Sequence, residues 1–198
     1  MTILAELTGV KVLFAHDTEV ALSAVTALVN TAGSDGEKLP DVAALDTFFE
    51  TYGWTGRHEH TEAEFRSVRR LRPRLRRLWD EDEEGVVDIV NGLLRESNAL
   101  PQLVKHGAEP YHLHATSLEA PLATRMAVEA AMAFVDVVRS GELSRRRTCE
   151  YPGCGNVVID LSKNRSKRFC DAGCGNRAAV AAYRARKSAA TPADHNRT

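Results

Sequence analysis

Hydrophobic side chains recur at spacings of three and four residues along much of the chain, a pattern typical of helices that bury one face. In the clearest run, Leu45, Phe48 and Tyr52 are three and four residues apart. Segments of this kind, or dense apolar runs, are separated by turn-forming residues and occur at 20–29, 41–52, 61–79, 86–94 and 121–139. The pattern predicts that the chain before residue 145 is mainly α-helical.

Residues that favour helix ends bound several of these segments. Asp17 and Asp41 stand where N-caps are expected. Thr61 and Glu64 have the spacing of a capping box. Pro73 lacks the backbone N–H that a helix interior needs, so we expect it to kink or divide the third helix.

Two short segments favour strands rather than helices. Residues 111–115 alternate in the manner of a hairpin arm, and residues 157–159 are three consecutive β-branched side chains. The predicted fold class is therefore a mainly α N-terminal domain with one small β-hairpin. A small C-terminal module, built from a β-hairpin and a helix, is predicted to follow it.

The composition is that of an ordinary globular protein. Of the 198 residues, 43% are hydrophobic and 27% are charged, which excludes disorder throughout the chain. No run reaches the roughly 18 apolar residues of a membrane span, and the first residues lack the basic start and cleavage site of a signal peptide. We therefore expect a cytoplasmic protein.

The net charge of −1 hides an uneven distribution. Residues 145–187 contain eleven Lys and Arg against three Asp and Glu, a charge of about +8, whereas residues 1–144 carry about −9. A basic module attached to an acidic domain is typical of a protein with a polyanionic partner.

All four cysteines lie within twenty-six residues, in the pairs Cys149–Cys154 and Cys170–Cys174. Two close pairs separated by a loop can supply the four thiolates of a tetrahedral Zn²⁺ site. Because protein would fill every position, we expect one structural zinc ion per chain. An iron–sulfur cluster, disulfides and unrelated buried cysteines are weaker alternatives, since disulfides are rare in the cytoplasm.

The same segment has the turn and helix signals of a zinc finger. Pro152, Gly153 and Gly155 place turn residues around Cys154, and an alanine-rich, helix-favouring run begins at Cys174. With a hairpin around 157–159, these signals predict a treble-clef-like finger. The segment has few aliphatic side chains, so we expect metal binding to supply much of its folding free energy.

Two groups of cations would lie on the surface of this finger. We expect the cations of the loop between the two cysteine pairs to contact phosphates, and those of the helix to enter the major groove of duplex DNA. The candidate nucleic-acid-binding residues are Lys163, Arg165, Lys167 and Arg168 in the loop, and Arg177, Arg184, Arg186 and Lys187 in the helix. Arg177 is our candidate for a contact with a base edge or a close phosphate.

Other functions have weaker support in the sequence. RNA recognition usually needs exposed aromatic side chains, and the finger offers Tyr151, Phe169 and Tyr183. An RNA-binding or protein-interaction module, and a solvated basic surface without a ligand, stay open as alternatives. A treble-clef nuclease needs a histidine beside the finger, and none lies between Cys149 and Lys187. No other catalytic motif is present, so we expect the protein not to be an enzyme.

The residues around the last cysteines resemble a known family. The run Cys174–Arg177, which reads Cys-Gly-Asn-Arg, follows Phe169 and Cys170 and is similar to the CGNR zinc finger. In that family the finger follows an N-terminal ABATE domain. Residues 28–31 resemble the Val-Asn-Thr signature of that domain, and residues 69–78 resemble its Arg- and Leu-rich helix.

The resemblance implies a bacterial transcription regulator associated with stress response. It implies DNA binding by the finger and a sensory or dimerisation role for the N-terminal domain, whose partners would be a second copy or a small-molecule effector. The corresponding boundaries are 1–144 for the ABATE-like domain, 145–187 for the finger and 188–198 for a disordered tail.

The arginine cluster and the histidine pairs of the N-terminal domain are not expected to be functional sites. Seven arginines between residues 66 and 77, followed by acids at 80–84, predict a solvated and ion-paired helix face rather than an anion site. His58 and His60, like His112 and His114, are two residues apart and would share one face of a strand. We expect these to be surface or hydrogen-bonded histidines, with a second metal site as the alternative.

Overall fold

A computed structural model describes residues 14–105 and 111–189 of the chain. Its helices are α1 (His16–Asn30), α2 (Val42–Thr51), α3 (Glu62–Asp80), α4 (Glu83–Glu96), α5 (Leu122–Arg139) and α6 (Cys174–Ala189). Within these described residues the strands pair as antiparallel hairpins, β1 (Ala32–Gly33) with β2 (Gly36–Glu37), β3 (Gln102–Val104) with β4 (His112–His114), and β5 (Arg146–Thr148) with β6 (Val157–Ile159). This arrangement confirms the predicted fold class, with two hairpins rather than one among the described residues before 145.

Helix α5 forms the centre of the helical domain and packs against α1, α3 and α4. Its small residues Ala127, Ala130 and Ala131 are buried, which allows neighbouring helices to approach closely. The fully buried ring of Phe134 meets Trp79 of α3 edge to face, with ring centroids 5.3 Å apart. The apolar faces predicted from the sequence therefore meet around α5.

Two predicted helix caps are confirmed. The Asp41 carboxylate accepts the backbone N–H of Ala44 at 2.8 Å, before α2. The Thr61 hydroxyl accepts the backbone N–H of Glu64 at 3.2 Å, before α3. The Glu64 carboxylate does not return to Thr61; it accepts backbone N–H groups of the preceding loop instead. The capping box is thus used in one direction only.

One other expectation about the helices is wrong, and one of the two alternatives given for Pro73 is excluded. Asp17 is not an N-cap, because α1 begins one residue earlier and the Asp17 carboxylate accepts the N–H of Leu113 in β4 at 3.4 Å. Pro73 does not divide α3. Val68 and Leu75 on either side of it are fully buried, so tertiary packing holds the helix continuous across the missing hydrogen bond.

Most arginines of α3 are ion-paired, but Arg72 is not solvated. Its side chain is 7% exposed and donates to both oxygens of the Glu37 carboxylate at 2.7 Å, and to the Thr31 hydroxyl at 2.8 Å. The hydrogen bonds from Arg72 lower the pKa of Glu37 to about 2. The expectation of a wholly solvated face is wrong at this position because the partner lies on β2, outside the helix pattern.

The C-terminal hairpin is continuous with the helical domain. Val157 and Ile159 of β6 are buried in the same hydrophobic core as α1 and α5. The Asn30 side chain donates to the Val157 carbonyl and accepts the Val157 N–H, both at 2.8 Å. The indole N–H of Trp79 donates to the Val158 carbonyl at 2.9 Å. The domain therefore supplies the core that the finger sequence lacks.

The predicted ends of the chain fall largely outside this description. Ser188 and Ala189, assigned from the sequence to the tail, are the last described residues of α6. The rest of the predicted tail, 190–198, and residues 1–13 lie outside the described residues. Within residues 14–105 and 111–189, no helix has the length and apolar character needed to cross a membrane.

Candidate zinc centre and nucleic-acid interface

The four cysteines are brought together by the ends of three elements. Cys149 follows β5, Cys154 lies in the turn that leads to β6, and Cys170 precedes the turn into α6, whose first residue is Cys174. The glycine immediately before Cys154 and the glycine immediately before Cys174 have φ of 76° and 77°. This left-handed conformation favours glycine and turns the chain back toward the other sulfurs.

The sulfur atoms have the spacing of a zinc site. All four Sγ atoms lie within 4.8 Å of one another. The Cys154 and Cys170 sulfurs are 3.8 Å apart, and the Cys170 and Cys174 sulfurs are 3.5 Å apart. Tetrahedral Zn–S bonds of about 2.3 Å place neighbouring sulfurs about 3.8 Å apart, so the four predicted ligands fit one zinc ion.

Hydrogen-bond donors surround the sulfurs. The backbone N–H of Cys170 donates to Cys149 Sγ at 3.3 Å, and the Asn156 amide donates to Cys170 Sγ at 3.4 Å. The guanidinium of Arg177 donates to Cys174 Sγ at 2.9 Å. Donors of this kind disperse the negative charge of four thiolates around a divalent ion.

The helical domain also reaches the zinc site. The Ser34 hydroxyl, in the turn between β1 and β2, donates to Cys154 Sγ at 3.7 Å. The buried Asn156 Oδ1 lies against Gly33, where an added Cβ would be 2.0 Å away. A side chain at position 33 would displace the amide that donates to Cys170. The β1–β2 hairpin, which the sequence shows only as a turn-forming stretch, therefore supports the metal site.

The thiols differ in acidity before a metal is bound. Burial raises the pKa of Cys174 to about 12, although the Arg177 hydrogen bond opposes it. Burial also acts to raise the pKa of Cys154, but hydrogen bonds from the Asn156 backbone and the Ser34 hydroxyl outweigh it and lower this pKa to about 7. A cation is needed to hold the Cys174 thiolate in its buried position, so zinc affinity should fall as the pH falls.

Two family models match the chain. The ABATE model, described as "Putative stress-induced transcription regulator", matches residues 22–141, and the CGNR zinc finger model matches residues 145–187. The chain belongs to the ABATE family. The resemblance noted in the sequence is confirmed in both parts, and the four cysteines are the zinc site of a CGNR finger. No match is found among curated proteins.

Some cations of the ABATE protein's basic module are not available at the surface. Arg145 is buried, pairs with Glu142 at 2.7 Å, and donates to the Asp160 carbonyl at 2.8 Å. Arg146 donates to the Leu78 carbonyl at the end of α3. Arg145 thus stabilises the finger internally, and Arg146 joins it to the domain. The charge of about +8 counted from the sequence therefore overstates the charge that is exposed.

The predicted loop cations lie on the surface but take part in ion pairs. Lys163 is exposed. The other three are paired as Arg165–Glu142 (2.8 Å), Lys167–Asp171 (3.0 Å) and Arg168–Glu150 (2.5 Å). The Lys167 and Arg168 pairs are surface pairs, which are worth little in stability, whereas the Glu142 partner of Arg165 is only 9% exposed.

Arg177 lies at the zinc site rather than on the outer face of α6. Besides its bond to Cys174 Sγ, its guanidinium lies over the Tyr151 ring at 4.7 Å and is 3.8 Å from Asp35 Oδ2. Asp35 belongs to the β1–β2 turn, so Arg177 connects the helix start, the metal ligands and the domain. In this arrangement it stabilises the position of α6.

The outer part of α6 carries the remaining candidates. Every residue from Ala179 to Ala189 is exposed, including Val180 at 49% and Tyr183 at 60%. The predicted cations of this part are Arg184, Arg186 and Lys187. The structure therefore separates the predicted set into an outer helix group, a loop group in which three of the four cations are paired, and one arginine at the metal.

Sequence reasoning missed several residues that build the site. Asn30, Ser34 and Asn156 connect the zinc finger to the domain, and Glu142 pairs with both Arg145 and Arg165. A signal existed only for Asn30, which lies in the stretch that resembles the family signature. The others contact residues far away in the sequence, and no local pattern marks them.

Proposed function

We propose that this ABATE-family protein is a DNA-binding transcription regulator that places α6 in the major groove and holds phosphates with the loop at 163–168. The observation that carries the proposal is that the outer part of α6 is exposed and bears three cations. The helix itself begins at a zinc ligand. The sixteen residues of α6 span about 24 Å, and the major groove, about 12 Å wide, admits a helix. The proposal includes no catalytic step.

The spacing of the outer cations suits a helix lying between two phosphate backbones. Arg184 and Lys187 are three residues apart and share one face of α6, whereas Arg186 points to the side opposite Arg184. A helix in a groove has phosphates on both sides, so cations on both faces can contact them at once. Tyr183 lies between Lys187 and Arg186 around the helix and would face the bases.

The acidic domain supports the same orientation. Residues 1–144 carry a charge of about −9, which repels a polyanion and confines contact to the finger. A chromosomal target requires access to the cytoplasm, so the proposal places the protein there. Within the described residues, the cations of α6 lie on the finger and not on the domain.

The N-terminal domain is proposed to be a sensor or a dimerisation scaffold. A cavity of about 630 Å³ lies between α1, α2 and the finger. Its wall includes Thr26 and Asn30 of α1, Tyr52 after α2, and Ile159 and Cys170 of the finger. A small molecule bound there would touch the domain and the zinc-ligand segment together, so binding could be transmitted to α6.

Selection of bound duplexes from a random pool tests the DNA proposal, with single-stranded RNA as competitor and the full chain loaded with zinc. We expect a duplex motif to be enriched and RNA to compete less well than duplex DNA. Enrichment of no duplex motif, together with stronger competition by RNA, would contradict the proposal and favour an RNA-binding role.

The aromatic side chains argue against the RNA alternative. Arg177 lies over the Tyr151 ring at 4.7 Å, and Arg168 lies over the Phe169 ring at 5.5 Å. Both rings are thus covered by guanidinium groups, whereas stacking of single-stranded bases needs open ring faces. Of the three aromatic residues considered for stacking, Tyr183 is the one that is well exposed.

A further inference from the structure

Asp46 of α2 and two histidines of the loop before α3 form a compact cluster outside the zinc finger. His58 Nε2 lies 2.8 Å from Asp46 Oδ1, and His60 Nδ1 lies 3.0 Å from the same oxygen. The ligand atoms of the three residues all lie within 4.8 Å of one another. Two ligands bound at about 2.1 Å to one ion are about 3.0–3.4 Å apart, so these spacings are close to those of a coordination shell.

A buried carboxylate orients His58. The His58 side chain is 7% exposed, and its Nδ1 lies 2.7 Å from Oε2 of Glu64, which is 4% exposed. The same oxygen accepts the backbone N–H groups of Glu59 and His60 at 2.9 and 3.2 Å, which fixes its position. A carboxylate at Nδ1 selects the tautomer that leaves a lone pair on Nε2, as in metal-binding histidines.

The other ring nitrogen of His58 lacks a hydrogen-bond partner among the described residues. Although Nε2 is close to Asp46 Oδ1, the arrangement of the atoms is not that of a hydrogen bond. Asp46 Oδ1 already has a hydrogen bond with His60 Nδ1, so the buried Nε2 of His58 is the atom left without a partner, and a cation between it and the carboxylate would satisfy it.

The backbone at His60 is strained within the same cluster. Its φ is 53°, in the left-handed region that a residue with a Cβ adopts at a cost. This conformation brings the His60 ring to a centroid distance of 4.0 Å from His58. The cluster thus holds the His60 side chain in place although the backbone of this residue would favour a negative φ.

We propose that Asp46, His58 and His60 bind a divalent first-row transition ion of the zinc class, with Glu64 as the positioning residue for His58. Two imidazoles and one carboxylate are a ligand set that such ions accept. Asp46 and His60 are 34% and 62% exposed, so solvent can supply the remaining coordination positions. The site is separate from the finger and independent of the DNA-binding proposal.

The ion would join α2 to the loop that precedes α3. That loop is also anchored to α5, because the Arg125 guanidinium donates to the carbonyls of Thr55 and Arg57. Metal binding would therefore connect α2, α3 and α5 through this loop. The expected consequence is a metal-dependent rise in thermal stability that does not involve the cysteines.

The test uses the full chain with its finger loaded with zinc and free of excess metal. Titration calorimetry with Zn²⁺ should show one further ion per chain. At free Zn²⁺ about 100 times its Kd, the melting temperature should rise by about 5–10 °C. Co²⁺ added to the same zinc-loaded protein should bind without the thiolate charge-transfer absorption of a cysteine site. Absence of a further stoichiometric ion in the parent protein overturns the proposal.

His60→Gly is the most informative variant because glycine accepts a positive φ, so the change removes a ligand and relieves the backbone together. We expect this variant to be at least as stable as the parent without added metal, and its Kd for the further ion to rise more than tenfold. Asp46→Asn should weaken binding in the same way. His114→Asn, a change in the other histidine pair, is the matched control and should retain the ion. Unchanged binding in His60→Gly, or loss confined to His114→Asn, overturns the proposal.

Discussion

Asn30 and Val157 are joined by two hydrogen bonds of 2.8 Å, through which one side-chain amide pairs with both backbone groups of a strand residue. Asn30 is the last residue of α1, and Val157 is the first residue of β6. The amide thus occupies the position that a neighbouring strand would take. This contact joins the helical domain to the zinc finger, so a loss of structure in one part should destabilise the other.

Asn30→Ala should lower the free energy of unfolding by about 1–3 kcal/mol, because it leaves the buried N–H and carbonyl of Val157 without partners. Urea denaturation of the zinc-loaded protein measures the change. Asn91→Ala, at an exposed position of α4, is the matched control and should have little effect. Equal stability of the two variants would show that the contact contributes nothing.

Loss of zinc should destabilise the helical domain as well as the finger. Cys174→Ser should release the metal, and the order of β6 would be lost with it. Val157 and Ile159 belong to the core of the domain, so we expect its melting temperature to fall by about 10 °C. Circular dichroism melting with a chelator, followed by re-addition of zinc, checks this. An unchanged domain transition in zinc-free protein would mean that the two parts are independent.

Glu129→Gln should stabilise the protein at alkaline pH. Burial raises the pKa of Glu129 from 4.5 to about 7, against the opposing charges of Arg125 and His112. Between these values the unfolded chain is ionised while the folded chain is protonated, so the free energy of unfolding falls as the pH rises. The amide removes this loss, and we expect a gain of about 1–3 kcal/mol at about pH 8.

The pH dependence of that gain is the check on its cause. About pH 5 is only slightly above the unfolded pKa of 4.5, so little of the loss has accumulated there and the gain should fall below about half of its value at pH 8. Glu119→Gln, the same change at an exposed position before α5, is the matched control. A gain that is equal at both pH values would point to packing rather than ionisation.

The sequence predicted those parts of the structure that depend on neighbouring residues. The caps at Asp41 and Thr61 act over three residues, and the cysteine pairs act within single turns, so local spacing was enough to identify them. The four zinc ligands were predicted for the same reason. The zinc-finger helix from Cys174 was predicted from its alanine-rich composition.

Contacts between distant segments could not be predicted in this way. Arg72 is indistinguishable from the other arginines of α3 until Glu37 of β2 is placed beside it. The approach of His58 to Asp46 depends on how α2 meets the next loop. The Arg177 guanidinium likewise has a position that its motif does not specify. In each case the decisive partner is supplied by tertiary packing.

The salt dependence of duplex binding by Arg184→Ala/Arg186→Ala tests most directly whether α6 contacts DNA. The measurement is the slope of the logarithm of the binding constant against the logarithm of salt concentration, on a duplex from the selection. Arg66→Ala/Arg70→Ala, which removes two exposed arginines from α3, is the charge-matched control. We predict that the α6 double variant lowers the slope by about two while the control leaves it unchanged. An unchanged slope in the α6 variant, or an equal fall in both, would contradict DNA binding through α6.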